Sequence, residues 1–294
     1  MPPQRAVATQ GVYPDPAVMQ FSLCNEVLAP LPFAQQCQLA AQLGYAGLEI
    51  APFTLAEDPA AISDDEAVYL RRVAADHGLV ITGLHWLLVK PDRLSITSPD
   101  AAVQARTLAF MRRLCELCAA LGGTYLVHGS PKQRLIAAGE TKDTALARAQ
   151  TTFAAAGAAA RACGVTYCIE PLSADQTPLI NTVAEAAQLV REINNPHLRT
   201  MIDTSSAGLA EAEPVDQLIT RWLPTGLIGH VQLNDPNRRA PGQGAMQFGP
   251  ILKALVDNGF RGMAAVEPFD YVPDGPGCAA HAMDYLRGIL EAGS

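Results

Sequence analysis

The feature that most constrains the fold of this chain is an alternation of short apolar runs with stretches of helical periodicity. Eight runs rich in Val, Ile and Leu are predicted strands, and eight stretches with apolar spacings of three and four are predicted helices. Parallel strands buried on both faces should be nearly continuous in apolar residues, as these are. The pattern predicts an α/β fold, a (β/α)8 TIM barrel. The predicted strands are 19–25, 46–50, 79–86, 124–130, 165–171, 198–204, 227–235 and 263–269.

The length and composition of the chain suit one large barrel. Its 294 residues are 49% hydrophobic and only 17% charged, so it can bury a sizeable core. This length would also suit two ordinary domains, but we predict a single barrel domain over 19–294. Residues 1–18 are rich in Pro, Gln and Ala and lack periodicity, which predicts a flexible N-terminal extension.

The net negative charge of the chain limits the kinds of partner that it is expected to bind. A formal net charge of −8 and a pI near 5.2 argue against nucleic acid or an anionic membrane, since both attract Lys and Arg. A small solute is the better prediction, with a homo-oligomer left open. No apolar run reaches the roughly 18 to 20 residues that span a bilayer, and residues 1–20 lack the apolar middle of a secretion signal. Seven cysteines in apolar contexts fit a reducing compartment, so we expect a cytoplasmic protein.

Residues near the helix ends predict where several helices begin and end. The segments 63–66 and 182–185 have the spacing of a capping box. Ser98 is the predicted N-cap of a long helix, with Pro99 at its first position and Gly122 after its last turn. Cys115 and Cys118 form a C-x-x-C on this helix. We interpret the pair as part of a buried face rather than a metal or redox site, because no second pair completes a zinc set.

Three predicted strands end on a single acidic residue, namely Glu170, Asp203 and Glu267. Barrel enzymes place their chemistry at the carboxyl ends of the strands, so these acids are candidate site residues. An unpaired carboxylate there would cost several kcal/mol of desolvation, and one divalent cation would compensate all three. The alternative is that each pairs with an Arg or caps the following helix. The strand-end residues weighed together are Glu49, His85, His128, Glu170, Asp203, His230, Gln232 and Glu267.

The seventh strand supplies a fourth candidate ligand. Gln232 and His230 are two residues apart, so both side chains point to the same face of the strand. We favour the amide oxygen of Gln232 as the ligand because it is nearer the barrel mouth, with His230 as a hydrogen-bonding residue in the layer below. Oxygen ligands with at most one nitrogen favour Mn²⁺, Mg²⁺ or Co²⁺ over a structural zinc ion.

The connection 131–142 is longer than usual and is expected to cover the site. Lys132 and Arg134 within it either meet a carboxylate or phosphate of the substrate or are solvated loop charges, and the second interpretation is favoured. Trp86 lies at the end of the third predicted strand, where an aromatic ring could form part of the pocket wall or simply pack.

Six segments together resemble the xylose isomerase-like barrel superfamily, in its sugar (phosphate) isomerase/epimerase branch. They are GYAGLEI, IEPL, IDT, HVQLND, NRRAPGQG and GFRGMAAVEPF, and the resemblance covers about 21–291. It implies that Glu170, Asp203, Gln232 and Glu267 hold one divalent metal. It also implies that the two glutamates are the catalytic acid and base, and that Arg238 holds substrate oxygens.

Two positions depart from the pattern of the ketose 3-epimerases in this branch. Those enzymes usually carry a metal-binding His where Gln232 stands, whereas hydroxypyruvate isomerase-like members have Gln. Many relatives also have a substrate-binding His where this chain has Ser206. The candidate substrate-binding residues are Arg238, His85, His128, His230, Trp86 and Ser206.

The expected activity is that of a metal-dependent sugar isomerase or epimerase acting on a small ketose or keto-sugar acid. Proton transfer through a cis-enediolate by Glu170 and Glu267 gives epimerisation, while one carboxylate moving the proton to the adjacent carbon gives isomerisation. The alternatives are an inosose-type sugar dehydratase, an apurinic endonuclease-like phosphodiesterase and a non-catalytic sugar-binding barrel. The phosphodiesterase needs further His ligands that this chain lacks, and its acidic charge opposes DNA binding.

Overall fold

In the computed structural model, which describes residues 19–292, eight parallel strands close into one barrel in chain order. Each strand is hydrogen-bonded to the next, and the first pairs with the last. This confirms the predicted (β/α)8 barrel; the proposed extension 1–18 lies outside the described residues. The strands are β1 (Phe21–Cys24), β2 (Gly47–Ile50), β3 (Val80–Leu84), β4 (Tyr125–His128), β5 (Thr166–Ile169), β6 (Leu198–Asp203), β7 (Ile228–Leu233) and β8 (Ala264–Val266).

The helices surround the barrel, and the described residues contain one more than the eight predicted. The additional helix is α6, which begins directly at the end of β6 because the Asp203 side chain accepts a hydrogen bond from the Ser206 N–H and so caps it. The helices are α1 (Phe33–Leu43), α2 (Asp64–Asp76), α3 (Ala101–Leu121), α4 (Lys142–Cys163), α5 (Val183–Ile193), α6 (Thr204–Ala210), α7 (Val215–Trp222), α8 (Phe248–Asp257) and α9 (Gly275–Ala292).

The predicted helix caps are confirmed in two cases and wrong in one. Ser63 and Thr182 each accept a hydrogen bond from the backbone N–H three residues later, as predicted. The N-cap of α3, however, is Asp100, whose carboxylate accepts hydrogen bonds from the first turn. Ser98 instead accepts from the Asp100 N–H, which places Pro99 before the helix rather than in it. A charged acceptor closer to the helix therefore replaced the hydroxyl.

The barrel interior holds polar side chains, whereas the layer between the barrel and the helices is apolar. The outward-facing strand residues, such as Leu48 and Ile50, belong to the large core that packs against the helices. The intervening position, Glu49, faces the interior and is fully buried. The interior also holds a small separate apolar cluster, Tyr125, Val127, Cys168 and Met201. The strand alternation thus directs polar groups into a space closed off from the main core.

Cys115 and Cys118 are buried on α3, which confirms the packing interpretation. All seven cysteines are free thiols, and the Cys118 thiol donates to the Tyr125 carbonyl. Within 19–292, no helix combines the length and the apolar character needed to cross a bilayer.

Candidate active site and metal centre

The predicted carboxylates meet at the carboxyl end of the barrel. Glu170 follows β5, Asp203 ends β6 and Glu267 follows β8, and one oxygen from each lies within 4.8 Å of the others. All three side chains are buried. Barrel closure is what brings them together, because Glu170 and Glu267 are separated by most of the second half of the chain.

Among the residues of this cluster and Gln232, which lies beside Asp203 in the sheet register, three buried oxygens have no hydrogen-bond partner within the described part of the chain. They are Oδ2 of Asp203, Oε2 of Glu267 and Oε1 of Gln232. A buried, unpaired carboxylate oxygen costs several kcal/mol, so the arrangement needs a compensating charge. Such a set of oxygen donors fits a hard divalent cation such as Mn²⁺, Mg²⁺ or Co²⁺.

Burial of these three carboxyl groups also raises their pKa values. Burial, together with the charges of Glu267 and Asp203, raises the pKa of Glu170 well above its usual range. Burial raises the pKa of Glu267 to about 8, against the hydrogen bond and charge of His85, and that of Asp203 to about 6, against hydrogen bonds from Ser206. Without a compensating cation, this site therefore retains protons that ordinary carboxyl groups lose.

Asp203 can both cap the following helix and face the carboxylate cluster, two roles that the sequence left as alternatives. Its Oδ1 accepts the Ser206 N–H at 2.6 Å and so caps α6, while its Oδ2 remains free to face the cluster. The helix cap therefore fixes the direction in which the free oxygen points.

Glu170 is held by close contacts with the loop after β4. Its Oε2 lies so near Gly129 that a Cβ atom there would be only 1.6 Å away. Arg134 is fully buried and donates to the Glu170 carbonyl at 2.8 Å and to the His128 carbonyl at 2.6 Å. The interpretation as a solvated loop charge is therefore wrong for Arg134, because the loop folds back and joins the ends of β4 and β5. Lys132 is exposed and also lines the cavity, so both interpretations stay open for it.

His85 holds Glu267 from behind. It is fully buried, with Nδ1 2.6 Å from Oε1 of Glu267 and Nε2 2.9 Å from Oε2 of Glu26. One oxygen of Glu267 is thereby occupied, and the other is left for the cluster. Glu26 was not among the predicted site residues, although it follows the first apolar run in the same way as the predicted acids follow theirs.

Glu49 lies in the barrel interior beside Gln232 and His230. Its Oε1 accepts the Gln232 Nε2–H at 2.8 Å, and its Oε2 accepts the Tyr125 hydroxyl at 2.6 Å. His230 Nε2 lies 2.8 Å from Oε2, with its ring stacked on that of Tyr125. Burial by itself would raise the pKa of Glu49, but the charge and hydrogen bond of His230 outweigh it, aided by His85 and Tyr125, and lower it to about 2. Glu49 is thus a buried anion.

The three candidate histidines lie behind the cavity wall rather than on it. His85 and His230 contact carboxylates, as described above. His128 has Nδ1 2.8 Å from the Tyr167 hydroxyl and packs edge-on against Phe153. Burial, and then the charge of Arg134, lowers the pKa of His128 well below its usual range, so this ring is neutral.

A cavity of about 440 Å³ opens over the carboxylate cluster. Trp86 lies in its wall at a left-handed backbone angle of φ 50°, edge-on to both Phe53 and Phe269 at 5.3 and 5.4 Å between ring centres. The Arg238 guanidinium lies 5.1 Å from the centre of the Phe269 ring. The cavity is lined by Trp86, Gly129, Pro131, Lys132, Glu170, Leu172, Asp175, Gln176, Asp203, Ser205, Ser206, Leu209, Asn234, Pro236, Arg238, Glu267 and Phe269.

Of the predicted substrate-binding residues, Trp86, Ser206 and Arg238 therefore line the cavity together with three predicted metal ligands. Gln176 also lines it, with its Nε2 3.4 Å from the Ser206 hydroxyl. Gln176 was not among the predicted site residues, because it lies in a loop with no apolar run leading to it.

A closed (β/α)8 barrel with buried carboxylates and a cavity at the carboxyl ends of its strands is organised as barrel enzymes are. The family model described as "Xylose isomerase-like TIM barrel" matches residues 37–289, and the chain belongs to this family. This confirms the family that the sequence motifs indicated.

Relatives of the chain include several epimerases. The D-psicose 3-epimerase of Agrobacterium fabrum is 28% identical over 240 residues, covering 81% of this chain and 79% of that protein. The L-ribulose 3-epimerase of Mesorhizobium japonicum is 27% identical over 230 residues, covering 76% and 72%. A solved structure of an L-ribulose 3-epimerase superposes with a TM-score of 0.80 at 21% identity, covering 94% of this chain and 95% of that one, and shows the same fold. The named relatives support the classification of the chain as an isomerase or epimerase.

Proposed function

We propose that this protein is a divalent-metal-dependent epimerase that inverts C3 of a small ketose. The observation that carries the proposal is the pair Glu170 and Glu267, two buried carboxyl groups that share one cluster at the base of the cavity. The cavity volume of about 440 Å³ lies within the roughly 300–1,000 Å³ typical of small-molecule sites. The names of the relatives support a ketose as substrate.

The cation would be held by Glu170, Asp203, Gln232 and Glu267. Three of these residues carry a buried oxygen without a partner, which supports the assignment. When bound, a divalent cation there polarises the oxygens of an α-hydroxy ketone and stabilises the negative charge of the enediolate.

The two glutamates are the proposed acid and base. They come from β5 and β8, with Asp203 on β6 and Gln232 on β7 between them around the barrel. One glutamate removes the proton from C3, and the other returns a proton from the opposite face, which inverts the carbon.

The cavity wall would bind the rest of the sugar. Arg238 and Ser206 offer hydrogen bonds to hydroxyl groups, and Trp86 presents an apolar ring face to the carbon skeleton. His85 and His230 lie behind the wall, so we propose that they position Glu267 and Glu49 rather than contact the sugar. His128 is proposed to support the β4 end in the same indirect way.

A substrate panel with a chelator control tests the proposal. Ketoses, hydroxypyruvate, inososes and abasic DNA are incubated with the purified protein after EDTA treatment and again after addition of Mn²⁺, Co²⁺ or Mg²⁺. We expect interconversion of a pair of ketoses that differ at C3, restored by a cation, and deuterium from D₂O at C3 of the product. Loss of water from an inosose, cleavage of the DNA, or full activity in EDTA would each contradict the proposal.

A further inference from the structure

Gln232 raises an orientation problem that a carboxylate ligand does not have. An amide ends in one oxygen and one NH₂ group of similar size, and only the oxygen can bind a hard cation. The position of the residue on β7 places the side chain in the barrel interior but does not decide which of the two ends faces the cluster. Some other group must make that choice.

The neighbouring acids favour the orientation in which the NH₂ end of Gln232, rather than its oxygen, faces the cluster. In the sheet register, Gln232 lies beside Asp203 on one side and Ala265 on the other, and Glu267 follows two residues after Ala265. Both acids carry a buried oxygen without a partner. Because such oxygens attract donors, the NH₂ end of a free amide would turn toward them and occupy the cation position.

Glu49 opposes this rotation. Its Oε1 lies 2.8 Å from Gln232 Nε2, and an ionised carboxylate can only accept hydrogen bonds. Its Oε2 is held by the Tyr125 hydroxyl at 2.6 Å and lies 2.8 Å from His230 Nε2, so the carboxylate itself is fixed. A flipped amide would bring two acceptor oxygens together. The Gln232 Nε2 thus donates to Glu49, and the Gln232 Oε1 is left buried and unpaired.

We propose that Glu49 is a positioning residue that holds the Gln232 amide with its oxygen toward the cation. The inference rests on the proposed function, since it assigns to Glu49 the task of completing that metal site. Partners that orient metal ligands from behind typically contribute about 10 to 100-fold in metal affinity.

The test is the dissociation constant of Mn²⁺, measured by isothermal titration calorimetry on the metal-free protein, with the thermal midpoint of the metal-free protein recorded alongside. Glu49→Gln keeps the size of the side chain but can present either a donor or an acceptor to Gln232. It should weaken Mn²⁺ binding by about 10 to 100-fold. Glu49→Asp keeps the charge but withdraws the carboxylate from the amide, and it should weaken binding as well.

The decisive comparison repeats Glu49→Gln in a Gln232→Glu background. Both arms of that side chain are oxygens, so its orientation no longer matters, and Glu49→Gln also relieves the repulsion between the two facing carboxylates. Glu49→Gln should therefore cause no loss of affinity there. If Glu49 acted only by attracting the cation with its negative charge, Glu49→Gln would weaken Mn²⁺ binding in both backgrounds. Thr82→Val is the matched control, because Thr82 bonds to Tyr125 in the same buried network, and its side-chain hydrogen bonds within the described residues go to Tyr125 and Leu48 rather than to Glu49 or Gln232. It should lower the thermal midpoint and leave the dissociation constant unchanged.

The outcomes separate the two proposals. If the unmodified protein binds no Mn²⁺, Mg²⁺ or Co²⁺, the proposed metal site is wrong and the role of Glu49 falls with it. If it binds one cation and Glu49→Gln or Glu49→Asp binds it equally tightly, the positioning role is wrong while the metal site stands. Equal losses in the two backgrounds would likewise overturn it. Should Glu49→Gln not fold, Glu49→Asp decides the matter.

Discussion

Adding one methyl group at Gly129 should inactivate the enzyme without unfolding it. A Cβ atom at this position would lie 1.6 Å from Oε2 of Glu170, 2.7 Å from its Cδ and 3.3 Å from Oε1. Because a carbon–oxygen contact needs roughly 3.3 to 3.6 Å even for a weak C–H···O interaction, the carboxylate must move by well over 1 Å. A misplacement of about 1 Å can cost roughly 100-fold in rate. We therefore expect Gly129→Ala to lower kcat by about 100-fold or more.

The backbone itself tolerates this change, since Gly129 is not among the positive-φ glycines. Gly288→Ala on α9 is the control, because a Cβ atom there meets nothing within 4 Å. The assay is the initial rate of ketose interconversion at saturating Mn²⁺, with circular dichroism to confirm the fold. A Gly129→Ala enzyme that is folded, metal-loaded and as fast as the Gly288→Ala control would refute the assignment of Glu170 as a positioned acid or base.

Three further predictions concern the carboxylates and their support. Glu170→Gln and Glu267→Gln should each lower kcat by roughly 10² to 10⁴-fold while Mn²⁺ still binds; near-full turnover by either variant would reduce that residue to a ligand. The pKa of Glu267 is raised from 4.5 to about 8, so the folded metal-free protein binds more protons than the unfolded chain between these values. Its thermal midpoint should therefore fall as the pH rises from 5 to 8, whereas saturating Mn²⁺ should remove this decline; a flat profile without metal would contradict the raised pKa. Arg134→Met leaves the buried Glu170 carbonyl unpaired, while the His128 carbonyl keeps the Glu170 N–H at 3.3 Å, and should cost about 1 to 3 kcal/mol in urea unfolding. No measurable loss would mean that water replaces the guanidinium.

The elements of the barrel could be predicted from the sequence because their signals are local. Apolar runs and helical spacing report which face of each segment is buried, and this holds wherever the segment lies in the fold. The acids at the ends of β5, β6 and β8 were found in the same way, as single polar residues closing an apolar run. The N-cap of α3 shows the limit of such reasoning, since Ser98 and Asp100 both carry suitable acceptors and only the path of the backbone selects between them.

Contacts made by barrel closure could not be predicted in this way. His85 and Glu267 are 182 residues apart in the sequence, and they meet only because β1 pairs with β8 and closes the barrel. Whether a strand-end side chain lines the cavity or lies behind its wall depends on strand tilt and register. The burial of Arg134 likewise depends on how its loop folds back over β4 and β5.

The sequence by itself therefore determined the barrel, its strand order and the acids available to the site, since each follows from local burial and from the parallel (β/α) repeat. The tertiary structure alone decided which oxygen of each acid is free. The Ser206 N–H occupies one oxygen of Asp203, His85 occupies one oxygen of Glu267, and Glu49 holds the NH₂ end of Gln232. Each of these partners comes from a different segment, and their hydrogen bonds leave one buried oxygen on each of Asp203, Glu267 and Gln232 without a partner.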